Sequence, residues 1–480
     1  MPDFPSLESQ LTKVGQSHLL AFWDQLDEPG RQQLAKQIEA IDFDQLVELH
    51  AGDSDQPDWA ALASKAVPPP AMRLSDRQSG SAGGLGVSPA DAVRRGKQAL
   101  DEGEVGVLLV AGGQGSRLGF DKPKGMYPIG SVSGATLLQV HLEKAVALAK
   151  RHSPASKQGV PVYLMTSPVT HDEQTAFLAE NDRFGLAQDD LVIFCQGTMP
   201  AVDRETGNLL LADKGRLFLS PDGHGGTVAA LANAIGDGED PLTHMRRRGI
   251  KHLFYLQVDN PLVPIGDAEF LGYHLLAQSE LTSMAITKQA PKDKLGNFGM
   301  IDGKMNVIEY SDMPDEVAER RDANGGLAFW AGSIAVHVFG VAFLERMLSM
   351  KDALPFHIAK KKVPHIDASG ALVKPEEPNA LKFERFIFDL LPQAANPIVV
   401  EYAEAEVFAP LKNAPGAPKD TEVYVRRFLV DQHRGWLASA GAAVAEGVAV
   451  EISPLWGLDA EGVAAKADAT LVIDKPTYLR

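Results

Sequence analysis

Residues 107–127, VLLVAGGQGSRLGFDKPKGMY, restrict the fold more than any other part of this chain. An apolar run from Val107 to Ala111 stops at paired glycines, Gly112 and Gly113, and Gly115, Arg117, Gly119 and Lys124 follow. A short apolar run bounded by glycine reads as a buried strand entering a tight turn. Glycine admits positive φ and lets a ligand approach the amide N–H groups closely. Such donors, joined by one guanidinium and one ammonium, form a site for a polyphosphate. The segment is built to hold a nucleotide.

Three phosphate loops compete for it. A dinucleotide fingerprint starting at Gly113 and Gly115 needs glycine at 118, where this chain has Leu118. The Gly-Lys-Ser/Thr string of the kinase-type loop does not occur. The order that fits is Gly-Gly-x-Gly-Ser/Thr-Arg-Leu-Gly followed by Lys124, the activation loop of nucleotidyltransferases acting on sugar 1-phosphates.

On these residues the chain resembles the eukaryotic-type UDP-sugar pyrophosphorylases, and within them the enzymes for N-acetylglucosamine. Further blocks recur in order: FCQGTMPA at 194–201, SPDGHGG at 220–226, QVDNPLV at 257–263, VIEYSDM at 307–313, AGSIAVH at 331–337, KKKVPHID at 360–367, LKFERFIFD at 381–389 and FAPLKN at 408–413. The resemblance covers roughly residues 90 to 430. It implies a Rossmann-like doubly wound mixed sheet of the nucleotidyltransferase type A-like class.

The hydropathy pattern agrees with that class. Strand-like runs at 105–111, 160–166, 191–195 and 252–258 alternate with helical runs at 136–151, 172–180 and 226–236. That alternation predicts a doubly wound, mostly parallel sheet. Leu11, Leu19, Leu34, Ile38 and Leu46 carry a helical period through the first 65 residues. A Pro/Gly/Ser-rich stretch follows at 67–89, and Ser88-Pro89 predicts a capped helix running to Glu102. VAVEISPLW at 448–456 and ATLVID at 469–474 read as strands of a small β-rich C-terminal domain. The expected division is an N-terminal helical segment and linker (1–88), a central nucleotidyltransferase domain (89–375) and a C-terminal region (376–480).

Composition excludes several classes. The formal net charge of −17 argues against a nucleic-acid partner or an acidic membrane surface, yet a few local cations still suffice for an anionic substrate. The single cysteine, Cys195, permits no intrachain disulfide and fits a reducing compartment. The first residues carry neither a positive n-region nor a long apolar run, and no stretch approaches eighteen apolar residues. A cytoplasmic protein with no obligate protein partner is expected. His141, His152, His171, His244 and His252 lack metal-ligand spacing and read as structural.

Forming a nucleoside diphosphate sugar needs an already anionic phosphate oxygen to attack the α-phosphorus of UTP. No general base is required, and the difficulty is to hold two polyanions together and stabilise the transferring group. Arg117, after the glycine turn, can grip phosphate oxygens in a fork. Lys124 follows Pro123, which keeps the loop extended. Asp259 ends the buried run HLFYLQVDNPL, placing a carboxylate at the carboxyl end of a strand, the ligand edge of open α/β sheets. An Asx turn assisted by Pro261 is the alternative. In ALKFERFIFDLL, Phe383, Phe386, Ile387 and Leu390 mark one helical face, and Lys382, Arg385 and Asp389 an exposed ion-pair face.

The resemblance assigns further roles. It gives Arg117 to the leaving pyrophosphate, Lys124 and Lys382 to phosphate, and Asp259 to Mg²⁺. Gln196 resembles the glutamine that reads uracil, whose imide edge suits an amide that both donates and accepts. Gly112, Gly113 and Gly223 resemble backbone positions lining the base. Glu309 resembles the carboxylate that accepts sugar hydroxyls, and Gly296 the glycine that leaves room for an N-acetyl group. This chain departs from the N-acetylhexosamine enzymes at two sugar-facing positions, with His224 and Ser333 where they carry asparagine. The expected activity is a Mg²⁺-dependent uridylyltransferase acting on UTP and a hexose 1-phosphate, N-acetylglucosamine 1-phosphate ahead of glucose 1-phosphate. The alternatives are a glucose-1-phosphate or broad-specificity UDP-sugar enzyme and a catalytically silent uridine-nucleotide sensor.

Overall fold

The computed structural model describes residues 4–52, 58–152, 159–236, 238–350 and 353–480. They form two compact units, each assembled from segments distant in the chain. One comprises Met1–Asp58, Gln196–Thr227 and Leu354–Ile387; the other comprises Trp59–Cys195, Val228–Ala353 and Phe388–Arg480.

The larger unit is built on a mixed sheet. Its strands are β1 (Ala71–Met72), β2 (Val105–Val110), β3 (Val162–Thr166), β4 (Leu191–Cys195), β5 (His252–Gln257), β6 (Leu281–Thr287), β7 (Asn297–Ile301), β8 (Lys304–Ile308), β9 (Ala331–Gly340) and β10 (Ile398–Tyr402). They lie in the order β1-β10-β6-β9-β5-β2-β3-β4, with the hairpin β7–β8 attached to β9. Along that path every pairing is parallel except the two made by β9, which runs against β5 and β6. The alternation of strands and helices is therefore legible as predicted, and the reversed strand makes the sheet mixed.

The central strands are mostly apolar, as expected of a sheet covered on both faces, and polar side chains buried there find partners, as Ser283 Oγ does with His337 Nδ1 at 2.9 Å. Val105, Val107, Leu108 and Leu109 of β2 are buried, as are Leu253, Phe254, Tyr255 and Leu256 of β5. Helix α1 (Pro89–Asp101) starts at Ser88, whose hydroxyl accepts from the Asp91 amide, with Pro89 in the first turn. Helices α2 (Leu137–His152) and α3 (His171–Glu180) match the predicted runs. The run 226–236 does not hold: a helix spans only Thr227–Ala230, and the chain turns before Gly236, which has φ +57°. Asn233 and Gly236 weaken helical propagation there, and the apolar spacing alone does not carry the helix past them.

Between β6 and β9 the register shifts from Ser283↔His337 to Ala285↔Ser333. The extra residues form a bulge in β9 that includes Ala335 at φ +56°. A bulge bends its strand and re-aims the neighbouring side chain. At the other end of the larger unit, α4 (Glu422–Ser439) packs Leu437 against Val450, Ile452, Val463 and Ile473. Short parallel pairs, Ala443–Val444 with Val472–Ile473 and Val450–Ile452 with Thr477–Leu479, complete this β-rich C-terminal region.

In the smaller unit, the N-terminal helices Phe4–Lys13, Glu28–Glu39 and Phe43–Ala51 bury Leu7, Leu11, Leu34, Ile38 and Leu46. They pack against Val202, Leu209, Leu211 and Leu217, and against Leu381 and Phe383. Each such side chain fully removed from water contributes about 1.5–3 kcal/mol. Lys382 lies on a strand, Ala380–Glu384, held antiparallel between His357–Lys361 and Val202–Asp203, and not on the predicted helix. The spacing of Phe383, Phe386 and Ile387 fits a helix. Strand neighbours on both sides fix a period of two instead, so Leu381 and Phe383 do not share a face with Lys382.

Candidate active site

The larger unit carries the phosphate loop. After β2 the Ala111 carbonyl accepts from Gln174 Nε2 at 2.9 Å, and the Gly112 carbonyl accepts from Ser167 Oγ at 2.7 Å. The loop then folds on itself, with the Gly115 amide bonded to the Lys122 carbonyl and the Lys124 amide to the Gly113 carbonyl, each at 3.0 Å. The amides of Gly112, Gly113 and Gln114 find no acceptor among the described residues, and Gly113 and Gln114 are exposed. Consecutive unpaired amides can serve as donors to an anion. Arg117 stands exposed on the turn Ser116–Leu118, unpaired among the described residues.

Lys124 Nζ lies 3.4 Å from Asp259 Oδ2, so the structure brings the loop cation to the carboxylate beyond β5. Both side chains are largely buried, at 20% and 10% exposure, where their charges are weakly screened. The Asp259 backbone is held from three sides. Val258 N–H bonds to the Val110 carbonyl at 2.9 Å, tying β5 to β2, and the Asp259 carbonyl accepts from the Leu411 amide at 2.8 Å. Asn260 donates its side chain to the Val407 carbonyl at 2.8 Å and accepts from the Ala409 amide at 3.1 Å. His141 Nε2 donates to the Val258 carbonyl at 3.0 Å. Lys144 Nζ reaches the carbonyls of Pro261 and Val263.

His141 is the structural histidine the sequence reading expects, whereas Lys144, Asn260 and the Leu411 segment escaped that reading. His141 and Lys144 sit on the apolar stripe of α2 beside Leu137, Leu138, Leu142, Ala145 and Leu148, and that interruption was the available signal. Burial lowers the His141 pKa to about 3 and the Lys144 pKa to about 7. The segment after Leu411 also adds Asp420, whose carbonyl accepts from the amides of Lys412 and Asn413. Burial raises the Asp420 pKa, with Lys412 and Lys419 opposing and the Asp259 charge adding a smaller push.

Among the described residues no group of three or more His, Cys, Asp or Glu could hold a metal. Mg²⁺ does not need one, because it keeps several waters and takes one or two carboxylates plus substrate phosphates. Asp259 fits that donor set: among the described residues its one side-chain hydrogen bond is the long one to Lys124.

A second group of residues meets at the start of β9. The Ser333 amide bonds to the Gly296 carbonyl at 2.8 Å. A Cβ placed on Gly296 would stand 2.5 Å from Val307 Cγ1, 3.3 Å from Glu309 Oε1 and 3.8 Å from Ser333 Cβ. Gly296, Glu309 and Ser333 thus share one surface. A Cβ on Gly299 would face Phe329 and Ala66 of the core instead.

In the smaller unit, Gln196 Nε2 lies 3.3 Å from Asp222 Oδ1 and 3.4 Å from the Gly223 carbonyl. Gly223 takes φ +83°, and a Cβ there would stand 2.4 Å from the Arg385 carbonyl oxygen, so glycine is required. His224 Nδ1 accepts from the Ile387 amide at 3.1 Å, and its ring stacks on Phe386 at 5.4 Å. This fixes the ring proton on Nε2. Lys382 Nζ lies 4.9 Å from the Phe218 ring centre. Burial is the main cause of its lowered pKa, with Glu384 opposing and Lys361 adding.

Free loop amides, a lysine and an aspartate thus meet at the carboxyl edge of a doubly wound sheet, the edge at which such folds bind their ligands. The family model for UTP–glucose-1-phosphate uridylyltransferase matches residues 88–442, and the chain belongs to that family. It is 37% identical over 441 residues to a UDP-N-acetylhexosamine pyrophosphorylase-like protein 1 of Xenopus tropicalis, covering 89% of this chain and 83% of that one. It is 35% identical over 450 residues to the UDP-N-acetylglucosamine pyrophosphorylase of Saccharomyces cerevisiae, covering 92% of each. The crystal structure of the uridine diphosphate N-acetylglucosamine pyrophosphorylase of Trypanosoma brucei in complex with inhibitor superposes with a TM-score of 0.81 at 26% identity, covering 100% of this chain and 98% of that one. No helix among the described residues is long and apolar enough to cross a membrane.

Proposed function

We propose that this chain is a uridylyltransferase that joins UTP to a hexose 1-phosphate, N-acetylglucosamine 1-phosphate by preference, and releases pyrophosphate. The observation that carries the reading is the approach of Lys124 to Asp259 beside the open amides of the glycine loop. The sugar preference is supported by relatives named for N-acetylglucosamine over most of their length.

A phosphate oxygen of the sugar 1-phosphate attacks the α-phosphorus in line. The bond from that phosphorus to the bridging oxygen breaks, and pyrophosphate leaves with the electron pair. Arg117 and the open Gln114 amide receive the departing phosphates, the backbone of Gly112 and Gly113 lines the base, and Lys124 stabilises the transferring group. Asp259 would hold Mg²⁺, which would supply charge neutralisation to the phosphates. Lys382 adds a phosphate contact. Gln196 reads uracil beside Gly223, Glu309 accepts sugar hydroxyls, and Gly296 leaves space for the N-acetyl group, with His224 and Ser333 as the further sugar-facing side chains.

The test is pyrophosphate release from UTP and Mg²⁺ with glucose, galactose, N-acetylglucosamine and N-acetylgalactosamine 1-phosphates. Release that is fastest with N-acetylglucosamine 1-phosphate supports the reading. Fastest release with glucose 1-phosphate overturns the sugar preference, and no release with any of them overturns the enzyme.

A further inference from the structure

The Gln196 amide has a definite orientation. Its nitrogen faces two groups, the Asp222 carboxylate at 3.3 Å and the Gly223 carbonyl at 3.4 Å. Both groups accept from the amide N–H₂, and the Asp222 carboxylate is the nearer and the stronger acceptor of the two, so it decides which way the amide points. Rotating the amide would put Oε1 against two acceptors, an uncompensated contact at a residue only 6% exposed.

Asp222 is itself fixed. It is 7% exposed, its amide donates to the Gly197 carbonyl at 3.2 Å, and its carbonyl accepts from the Arg385 amide at 2.8 Å. Its carboxylate is walled by backbone: a Cβ on Gly226 would stand 2.1 Å from Oδ1, and one on Gly197 would stand 2.8 Å from Oδ2. Burial raises the Asp222 pKa, and the hydrogen bond from Gln196 opposes that shift.

We infer that Asp222 is a positioning residue for base selection: it turns the Gln196 amide so that Oε1, an acceptor, faces the nucleobase. This rests on the uridine reading of Gln196 above. An acceptor pairs with a base that carries a proton on ring nitrogen 3, as uracil does. Cytosine presents a lone pair at that atom, and the two acceptors repel. The discrimination against cytidine therefore lies in the Asp222–Gln196 pair, and not in the glutamine alone, which in either orientation could serve either base.

The experiment measures kcat/KM for UTP and for CTP with N-acetylglucosamine 1-phosphate as co-substrate, in the full-length wild type and in variants. Gln196→Ala lowers the UTP-over-CTP ratio. Asp222→Ala lowers it by a comparable factor, roughly 10- to 100-fold for a reoriented buried hydrogen bond. Asp222→Asn, which keeps one acceptor oxygen in place, stays within about 3-fold of the wild-type ratio on the same argument. Asp222→Ser carries the test if the alanine variant does not fold. A ratio unchanged in Asp222→Ala or Asp222→Ser, alongside a collapsed ratio in Gln196→Ala, overturns the inference and leaves the uridine reading standing. A ratio unchanged in Gln196→Ala overturns both.

Discussion

Lys144 Nζ lies 2.5 Å from the Pro261 carbonyl, two residues beyond Asp259 in the turn that closes β5. The same ammonium reaches the Val263 carbonyl at 2.9 Å, so one buried side chain on α2 braces the peptide groups behind the carboxylate. Outer supports of this kind matter because a metal ligand is useful only when its direction is fixed.

Replacing Lys144 by methionine keeps the volume and removes the donor. The expected loss in kcat is roughly 10- to 100-fold, with a higher Mg²⁺ concentration needed for half-maximal rate. Steady-state kinetics across a Mg²⁺ titration, with far-UV circular dichroism to confirm folding, checks this. A folded variant with wild-type kcat and metal dependence would show that the brace is dispensable.

Lys124→Ala removes the charge that lies 3.4 Å from Asp259 and that the proposed reaction sets against the transferring phosphate. Turnover should fall by roughly 10²- to 10³-fold, the size of losing one preorganised stabilising group. Lys122, exposed in the same loop, serves as control. Its alanine variant should stay within about 2-fold of wild type, as expected of a solvated charge. Pyrophosphate release under saturating UTP separates the two, and equal losses would remove Lys124 from its special place.

Gly296→Ala drives a methyl group to 2.5 Å from Val307 Cγ1 and 3.3 Å from Glu309 Oε1. Either the β7–β8 hairpin shifts or Glu309 turns aside, at a typical cost of about 1–3 kcal/mol for overpacking. The KM for the sugar 1-phosphate should rise while the KM for UTP holds. Parallel changes in both constants would argue against a sugar-facing surface at Gly296.

Buried histidines make stability depend on pH. His433 Nδ1 accepts from the Ile452 amide at 3.3 Å. Burial, aided by the charge of Lys144, lowers its pKa from 6.5 to about 4. His252, also lowered mainly by burial, stands at about 4. Between these values and 6.5 the unfolded chain binds more protons than the folded one, so their stabilising share is complete above pH 6.5 and is lost as pH falls toward 4. Each such shift corresponds to at most about 3–4 kcal/mol. The melting temperature should drop across that interval, and His433→Gln should flatten part of the drop. An unchanged profile in the variant would exclude His433 as a contributor.

What the sequence disclosed is the part written in local order. The strand-turn of Val107 to Gly113, the cap at Ser88 and the carboxylate beyond β5 each depend on neighbours in the chain, and each stands where it was expected. The strand carrying Lys382 was not legible, because its identity comes from His357–Lys361 and Val202–Asp203, partners that no local period announces. The smaller unit escaped for the same reason, drawing on three segments with long stretches of chain between them. Gln196 was visible as a candidate and Asp222 was not. An aspartate in a glycine-rich turn looks like turn chemistry until its oxygens are seen facing an amide.

The reversed strand β9 has a consequence for how this surface can change. In a parallel sheet the ligand edge is furnished by loops leaving the strands, which tolerate insertion and drift. Because β9 runs the other way, it enters at that edge, and Ser333 is already paired with Ala285 and tied to Gly296 when it gets there. Position 333 can therefore exchange one side chain for another while the peptide beneath stays still. If the proposed sugar contact at Ser333 holds, selectivity for one sugar over another can be rewritten there a single letter at a time, with the rest of the rim unmoved.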